Sequence, residues 1–202
     1  PEGYMLDNQA WIDGFESPTD IENHVIDLIG QDEANDFWEL YRANYVAQAD
    51  IDKIAEWGFN HIRVPFHYKQ FYDSTGTETP IGYAIVDELI TWCQPHNIYI
   101  ILDMHCAPGA QNGGPISDSD GIARLWLEDS YKELTIQIWK EIATYYADHT
   151  LIAGYDLINE PVLPSGVSLE EFKQLYVDIT EAIREVDNNH LIWIEGNWNG
   201  TD

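Results

Sequence analysis

The chain has 202 residues, of which 45% are hydrophobic, enough for one sizeable core, and one domain spanning residues 1–202 is the expectation. Thirty-six acidic residues against 9 basic ones set the formal net charge at −27. So few cations cannot build the clustered Lys/Arg patch that a phosphate backbone or an anionic membrane requires, so neither nucleic acid nor membrane is an expected partner. The acidic excess fits a protein kept soluble in salt, and equally an ordinary acidic secreted protein. No run reaches the apolar length of a membrane span and no signal peptide is visible. The first residue is Pro1 rather than Met, which points to a processed product or a fragment.

Residues 1–43 are punctuated by Gly, Pro and Asp and read as a long loop with one helix, anchored by Trp11 and Trp38. From Asn44 to the end, strand and helix patterns alternate. Tyr45–Trp57 is helical, with Val46, Asp50 and Ile54 on one face and Gly58 as its stop. His61–Phe66 is a short strand; Ile85–Trp92 is a helix that ends before Pro95. Ile98–Met104 is a continuous apolar strand, as expected where both faces are covered. Ser130-x-x-Glu133 and Ser168-x-x-Glu171 read as capping boxes of two amphipathic helices. Between those helices lies the strand Ile152–Ile158, and after them Leu191–Glu195. Parallel strands joined by helices form either a doubly wound sheet or a barrel. No Gly-rich phosphate loop follows any strand, which argues against the nucleotide-binding sheet. Polar residues at the C-terminal strand ends favour the α/β barrel, where such positions carry the site.

Those polar residues are Arg63, His105, Asn159-Glu160 and Glu195. Glu160, beside an amide at a strand mouth, is equipped to protonate a leaving oxygen, and equally to cap a helix or bind a surface lysine. Arg63, between Ile62 and Val64, needs a carboxylate partner, whether in a structural ion pair or in one that organises a site. His105 is a candidate catalyst or a hydrogen-bonded structural residue. Glu195 either holds a loop or faces the cleft, and Trp198, in a Gly/Asn-rich setting, is either core or a platform for a sugar face. His61, His67, His96, His149 and His190 form no ligand spacing, so neither a metal nor another cofactor is expected. Cys93 and Cys106 read as two buried free thiols, with a single disulfide as the other option.

Four stretches, in order, resemble glycoside hydrolase family 5: Trp57-Gly-Phe-Asn-His-Ile-Arg-Val-Pro65, Leu102-Asp-Met-His-Cys-Ala-Pro-Gly-Ala-Gln-Asn-Gly113, Tyr155-Asp-Leu-Ile-Asn-Glu-Pro161 and Ile194-Glu-Gly-Asn-Trp198. The resemblance implies a partial (β/α)8 TIM barrel holding strands two to five, a secreted enzyme, and hydrolysis of a β-glucan with net retention. It makes Glu160 the acid/base, Asn159 the amide on the sugar 2-hydroxyl, Arg63 the arginine that keeps the nucleophile ionised, and His105 a subsite wall. Trp198, Glu195, Gln111 and Asn112 become expected contacts of a polysaccharide or oligosaccharide substrate. In a retaining pair the two carboxyls stand about 5 to 5.5 Å apart. The family's nucleophile lies on strand seven, beyond Asp202, and Glu195 on strand five sits too close to the acid to replace it. Strands from another segment or a second chain are therefore expected to complete the barrel, and the 202 residues alone to be inactive. The Ala-Pro-Gly-x-Gln-Asn-Gly loop resembles the exo-β-1,3-glucanase branch, with cellulase and mannanase activity also open. A second reading is a non-catalytic carbohydrate-binding or assembly fragment that uses Trp11, Trp38 and Trp198 as platforms. A small α/β hydrolase is disfavoured because no Gly-x-Ser-x-Gly elbow is present.

Overall fold

The computed structural model describes residues 17–73 and 76–197, so Trp11 and Trp198 lie outside the described residues. Its elements in chain order are α1 (Pro18–Ile29), α2 (Gln31–Tyr45), α3 (Gln48–Glu56), β1 (His61–His67), α4 (Ile81–Cys93), β2 (Tyr99–Cys106), α5 (Asp129–Tyr146), β3 (Ile152–Asp156), α6 (Leu169–Arg184) and β4 (Leu191–Trp193). The four strands are parallel and lie in the order β1-β2-β3-β4. A doubly wound sheet reverses its strand order at a switch point. Sequential order without reversal is that of a barrel wall, so these are four successive β/α units of the barrel type.

The core lies where β2 meets its helices. Ile100, Leu102 and Met104 are fully buried on one face of β2, in one cluster with Val86, Leu89 and Ile90 of α4 and Ile138, Trp139 and Ile142 of α5. Phe172, Tyr176, Ile179 and Ile183 form the buried stripe of α6 expected from their spacing. Ser168 and Glu171 make the expected reciprocal capping box. Cys93 and Cys106 are buried free thiols, and burial raises the Cys93 pKa to about 11.

Several boundaries differ from the sequence reading. Residues 18–45 hold two helices rather than one. Ser17 caps the first by accepting from the Asp20 N–H, Pro18 opens it, and Gly30 at φ +89° ends it and starts the second. Helix α5 starts at Asp129, behind a 3-10 turn at Arg124–Trp126, and its N-cap is Glu128 with no side-chain cap bond. Ser130 is therefore already inside the helix, and its box does not form. Strand β1 runs on to His67, which leaves Arg63 within the strand rather than at its end. Strands β3 and β4 stop at Asp156 and Trp193, so Asn159, Glu160 and Glu195 stand on the segments just beyond. Trp38 is buried, with edge contacts to Phe37 and Tyr41, and is not an exposed platform.

The N-terminal end of the sheet is closed by Asp187. Its Oδ2 accepts from the Tyr155 hydroxyl at 2.7 Å, and its Oδ1 from the backbone N–H groups of Asn189 and His190 at 2.9 and 3.2 Å. Burial pushes this carboxyl up, and the hydrogen bonds outweigh it and hold the pKa below the usual range. Above this closure β4 lies very close to β3. A Cβ at Gly154 would stand 2.0 Å from the Leu191 carbonyl oxygen and 2.7 Å from the Trp193 ring. Only glycine lets these two strands pair, so Gly154→Ala is expected to lower stability by about 3 kcal/mol or more, read from urea unfolding. An unchanged midpoint would show that β4 contributes little to the fold.

Candidate active site

The strand register generates the site. It sets Asp103 of β2 beside Asp156 of β3, two carboxylates on one rung of neighbouring strands. Like charges placed opposite each other destabilise a sheet unless a cation lies between them. Arg63, from β1, supplies it. Its Nη1 lies 2.9 Å from Asp103 Oδ2, its Nε donates to Asp156 Oδ2 at 2.8 Å, and its Nη2 donates to Asn159 Oδ1 and Glu195 Oε1, both at 2.9 Å. The guanidinium from β1 thus gathers groups from β2, from β3 and from the segments just beyond β3 and β4. Burial would lower its pKa, and the three carboxylates outweigh that and raise it. The Asp156 carboxyl moves up to about 6: burial dominates, Asp103 and Glu195 add to it, and Arg63 opposes it.

His105 follows Asp103 by two residues on the same face of β2, and its Nδ1 lies 2.8 Å from Asp103 Oδ2. The same aspartate therefore serves both Arg63 and His105. Asp103 is fully buried, and its Oδ1, like Asp156 Oδ1 and Asn159 Nδ2, has no hydrogen-bond partner among the described residues. A buried amide donor without a partner, beside two unsatisfied carboxylate oxygens, marks a polar surface built for something other than the core.

Asn159 and Glu160 are held through their backbone. The Asn159 N–H donates to the Met104 carbonyl at 3.2 Å, and its carbonyl accepts from Gln111 Nε2 at 2.8 Å. The Glu160 N–H donates to Glu195 Oε2 at 2.8 Å, and its carbonyl accepts from Asn112 Nδ2 at 2.9 Å. Glu160 sits at φ +43°, a left-handed conformation that costs a residue with a side chain roughly 1–2 kcal/mol. Its carboxyl makes no hydrogen bond or ion pair with any described residue, in contrast to Asp103, Asp156 and Glu195.

The other two loop residues have internal tasks. Gln111 is fully buried; Nε2 also reaches the His105 carbonyl at 2.7 Å, and Oε1 accepts from the Ala107 N–H at 3.1 Å. Asn112 Oδ1 accepts from the Gly114 N–H at 2.8 Å and the Ser117 hydroxyl at 3.0 Å. Both were expected at the substrate; here every one of these bonds ties the β2–α5 loop to itself or to the β2 and β3 ends. Asp103 and Asp156 were not singled out from the sequence, although each is a lone carboxylate in an apolar run, the one signal that could have found them. Asp118 was missed too. It accepts from the Thr19 N–H and hydroxyl at 2.7 Å each and lies 3.0 Å from His67 Nε2 and Lys69 Nζ, tying α1 to the strand ends. Burial pushes its carboxyl up, but these partners hold it well below the usual range.

Polar groups gathered beyond the C-terminal ends of sequentially ordered parallel strands define a barrel-type α/β protein with its site at the strand mouth. Residues 19–202 match the family described as Cellulase (glycosyl hydrolase family 5), and the chain belongs to it. It is 34% identical over 181 residues to a "Beta-xylosidase" of Phanerodontia chrysosporium, which covers 88% of this chain and 37% of that protein. An endoglucanase Cel5A structure from Pseudomonas stutzeri, in complex with cellobiose, matches at 26% identity and TM-score 0.58, over 75% of this chain and 42% of that one. The rutinosidase from Aspergillus niger, 18% identical, shares the fold at TM-score 0.80 over 96% of this chain and 58% of that one. The chain thus spans about two fifths of the β-xylosidase and of Cel5A.

The raised Asp156 pKa has a consequence for stability. Its carboxyl titrates near 6 folded and near 3.8 unfolded, so between those values the folded state holds the extra proton. The Asp156 contribution is therefore complete below about pH 4 and is lost as the pH rises through 6. Asp156→Asn, neutral throughout, is expected to flatten the fall in unfolding free energy across this window, measured by urea titration at each pH. An unchanged slope would mean that Asp156 is ionised throughout.

Proposed function

We propose that the chain is part of the catalytic domain of a retaining glycoside hydrolase that cleaves β-glucosidic bonds of a glucan, with Glu160 as general acid/base. The observation that carries this reading is the state of Glu160. It is the one carboxylate of the cluster without a partner among the described residues, and its backbone is fixed on both sides. A group that is positioned but uncommitted can give a proton to a leaving oxygen and later take one from water. Asn159 Nδ2, next to it and without a partner among the described residues, suits a sugar hydroxyl. The name of one solved relative fits: Cel5A of Pseudomonas stutzeri is an endoglucanase, in complex with cellobiose.

In this reading the leaving oxygen takes the Glu160 proton while a second carboxylate attacks the anomeric carbon. Water, deprotonated by Glu160, then releases the sugar with retained configuration. Glu195 is a poor candidate for the attacking group, because its two oxygens are bound to Arg63 and to the Glu160 N–H. The nucleophile is assigned to a segment outside these 202 residues, which also supplies strands that cover the edge of β1. An apolar cavity of about 500 Å³ along that edge, lined by Tyr41, Tyr45, Phe66, Leu89 and Trp92 among others, supports this. Arg63 retains one Nη1 hydrogen for such a carboxylate. Export from the cell accompanies this reading.

In the full-length protein, Glu160→Gln is expected to lower hydrolysis of barley β-glucan, laminarin or carboxymethyl cellulose by on the order of 10²–10⁴-fold. Binding of the corresponding oligosaccharides, followed by calorimetry, is expected to persist. Undiminished turnover would remove Glu160 from the chemistry. Residues 1–202 alone are expected to bind without hydrolysing.

A further inference from the structure

Glu160 holds a backbone conformation that its own sequence opposes. It has a side chain, which disfavours φ +43°, and it precedes Pro161, which drives the preceding residue towards extended backbone. Such a conformation persists only where the surroundings over-determine it. Two side chains do so here. Glu195 Oε2 takes the Glu160 N–H at 2.8 Å from the β4 side, and Asn112 Nδ2 gives to the Glu160 carbonyl at 2.9 Å from the loop after β2. The other Glu195 oxygen, Oε1, is held at 2.9 Å by Arg63 Nη2, which also holds Asn159 Oδ1. The Glu195 carboxylate is therefore a bridge, with the guanidinium at one end and the backbone of Glu160 at the other.

We infer that Glu195 and Asn112 are positioning residues, which clamp the Glu160 peptide in its left-handed conformation and so aim its carboxyl at the leaving oxygen. This rests on the acid/base reading of Glu160. If either arm is lost, Glu160 relaxes towards extended backbone, its Cα–Cβ direction changes, and the carboxyl swings away from the reacting oxygen. The chemistry of Glu195 suits the task, because a carboxylate presents two acceptors to two donors. A glutamine there has one oxygen, and its NH2 would face either the Arg63 or the Glu160 N–H. Asn112→Asp isolates the second arm. It removes the donor to the Glu160 carbonyl while keeping an acceptor for the Gly114 N–H and the Ser117 hydroxyl.

The test exploits the leaving group. A glucan needs its leaving oxygen protonated, whereas a 2,4-dinitrophenyl β-glycoside of the same sugar does not. In the full-length protein, Glu195→Gln is expected to cut kcat/KM on the glucan by about 10²-fold, the scale of an ångström-sized misplacement, while kcat/KM on the dinitrophenyl glycoside changes little. Asn112→Asp is expected to give the same split, and serves alone if Glu195→Gln does not fold. Azide, which attacks the glycosyl-enzyme without a base, is expected to raise turnover of the dinitrophenyl glycoside by the variants and not by the parent. Glu160→Ala is the reference for a missing acid/base. Equal losses on both substrates in Glu195→Gln and Asn112→Asp, with a split in Glu160→Ala, would overturn the clamp and leave the acid/base reading intact. Equal losses in Glu160→Ala itself would overturn both. A crystal structure of either variant with Glu160 still at positive φ and its carboxyl unmoved would likewise overturn the clamp.

Discussion

The site depends on one guanidinium among three carboxylates. Register alone brings Asp103 and Asp156 side by side, and Glu195 arrives from the next strand, so without Arg63 the strand ends would repel each other. A planar fork suits this better than an ammonium, since separate N–H groups point in fixed directions at separate partners. Nε faces β3, Nη1 faces β2, and Nη2 faces the segments beyond β3 and β4. The charges do not balance, however. Three carboxylates share one cation; burial first, and then Asp103 and Glu195, raise the Asp156 pKa to about 6 against the pull of Arg63.

From this anchor the order passes outward through the backbone rather than through packing. The Asn159–Glu160 pair leaves β3 without a strand partner, yet each of its four backbone polar groups is satisfied, by the Met104 carbonyl and by the side chains of Gln111, Glu195 and Asn112. Buried backbone groups must be paired, and here side chains supply most of the pairing. Gln111 and Asn112 spend these side-chain groups on the backbone. They keep the β2–α5 loop and the β3 exit in one rigid assembly, which a site needs before its first contact with substrate.

The sequence carried the order and kind of the elements, because apolar runs and helical stripes report burial directly. It also carried Arg63, His105, Asn159, Glu160 and Glu195 as residues at or near strand ends. What it could not carry was partnership. Which carboxylates Arg63 would meet depends on inter-strand register, set by the whole sheet and absent from any local pattern. Asp103 and Asp156 were passed over for that reason, although a charge within a buried run is itself a signal. Gln111 and Asn112 were expected at a sugar and their internal bonds were not foreseen, because loop polarity suggests a ligand just as strongly as it suggests an internal staple. The second N-terminal helix was missed for a simpler reason: Gly30 reads as loop, whereas here it is the hinge between two helices.

The scarcity of cations also sets the electrostatics of the strand mouth. The chain has 9 basic residues against 36 acidic ones, and the cations near the strand mouth are already committed. Arg63 is spent on Asp103, Asp156 and Glu195, and Lys69 on Asp118 and Thr19. An anionic polymer would meet a mouth with surplus negative charge and little free positive charge to receive it, and would be repelled. A neutral polyol is not repelled. The same surplus adds, behind burial, to the raised pKa of Asp156. The electrostatics of the strand mouth thus oppose an anionic ligand and leave a neutral one unopposed.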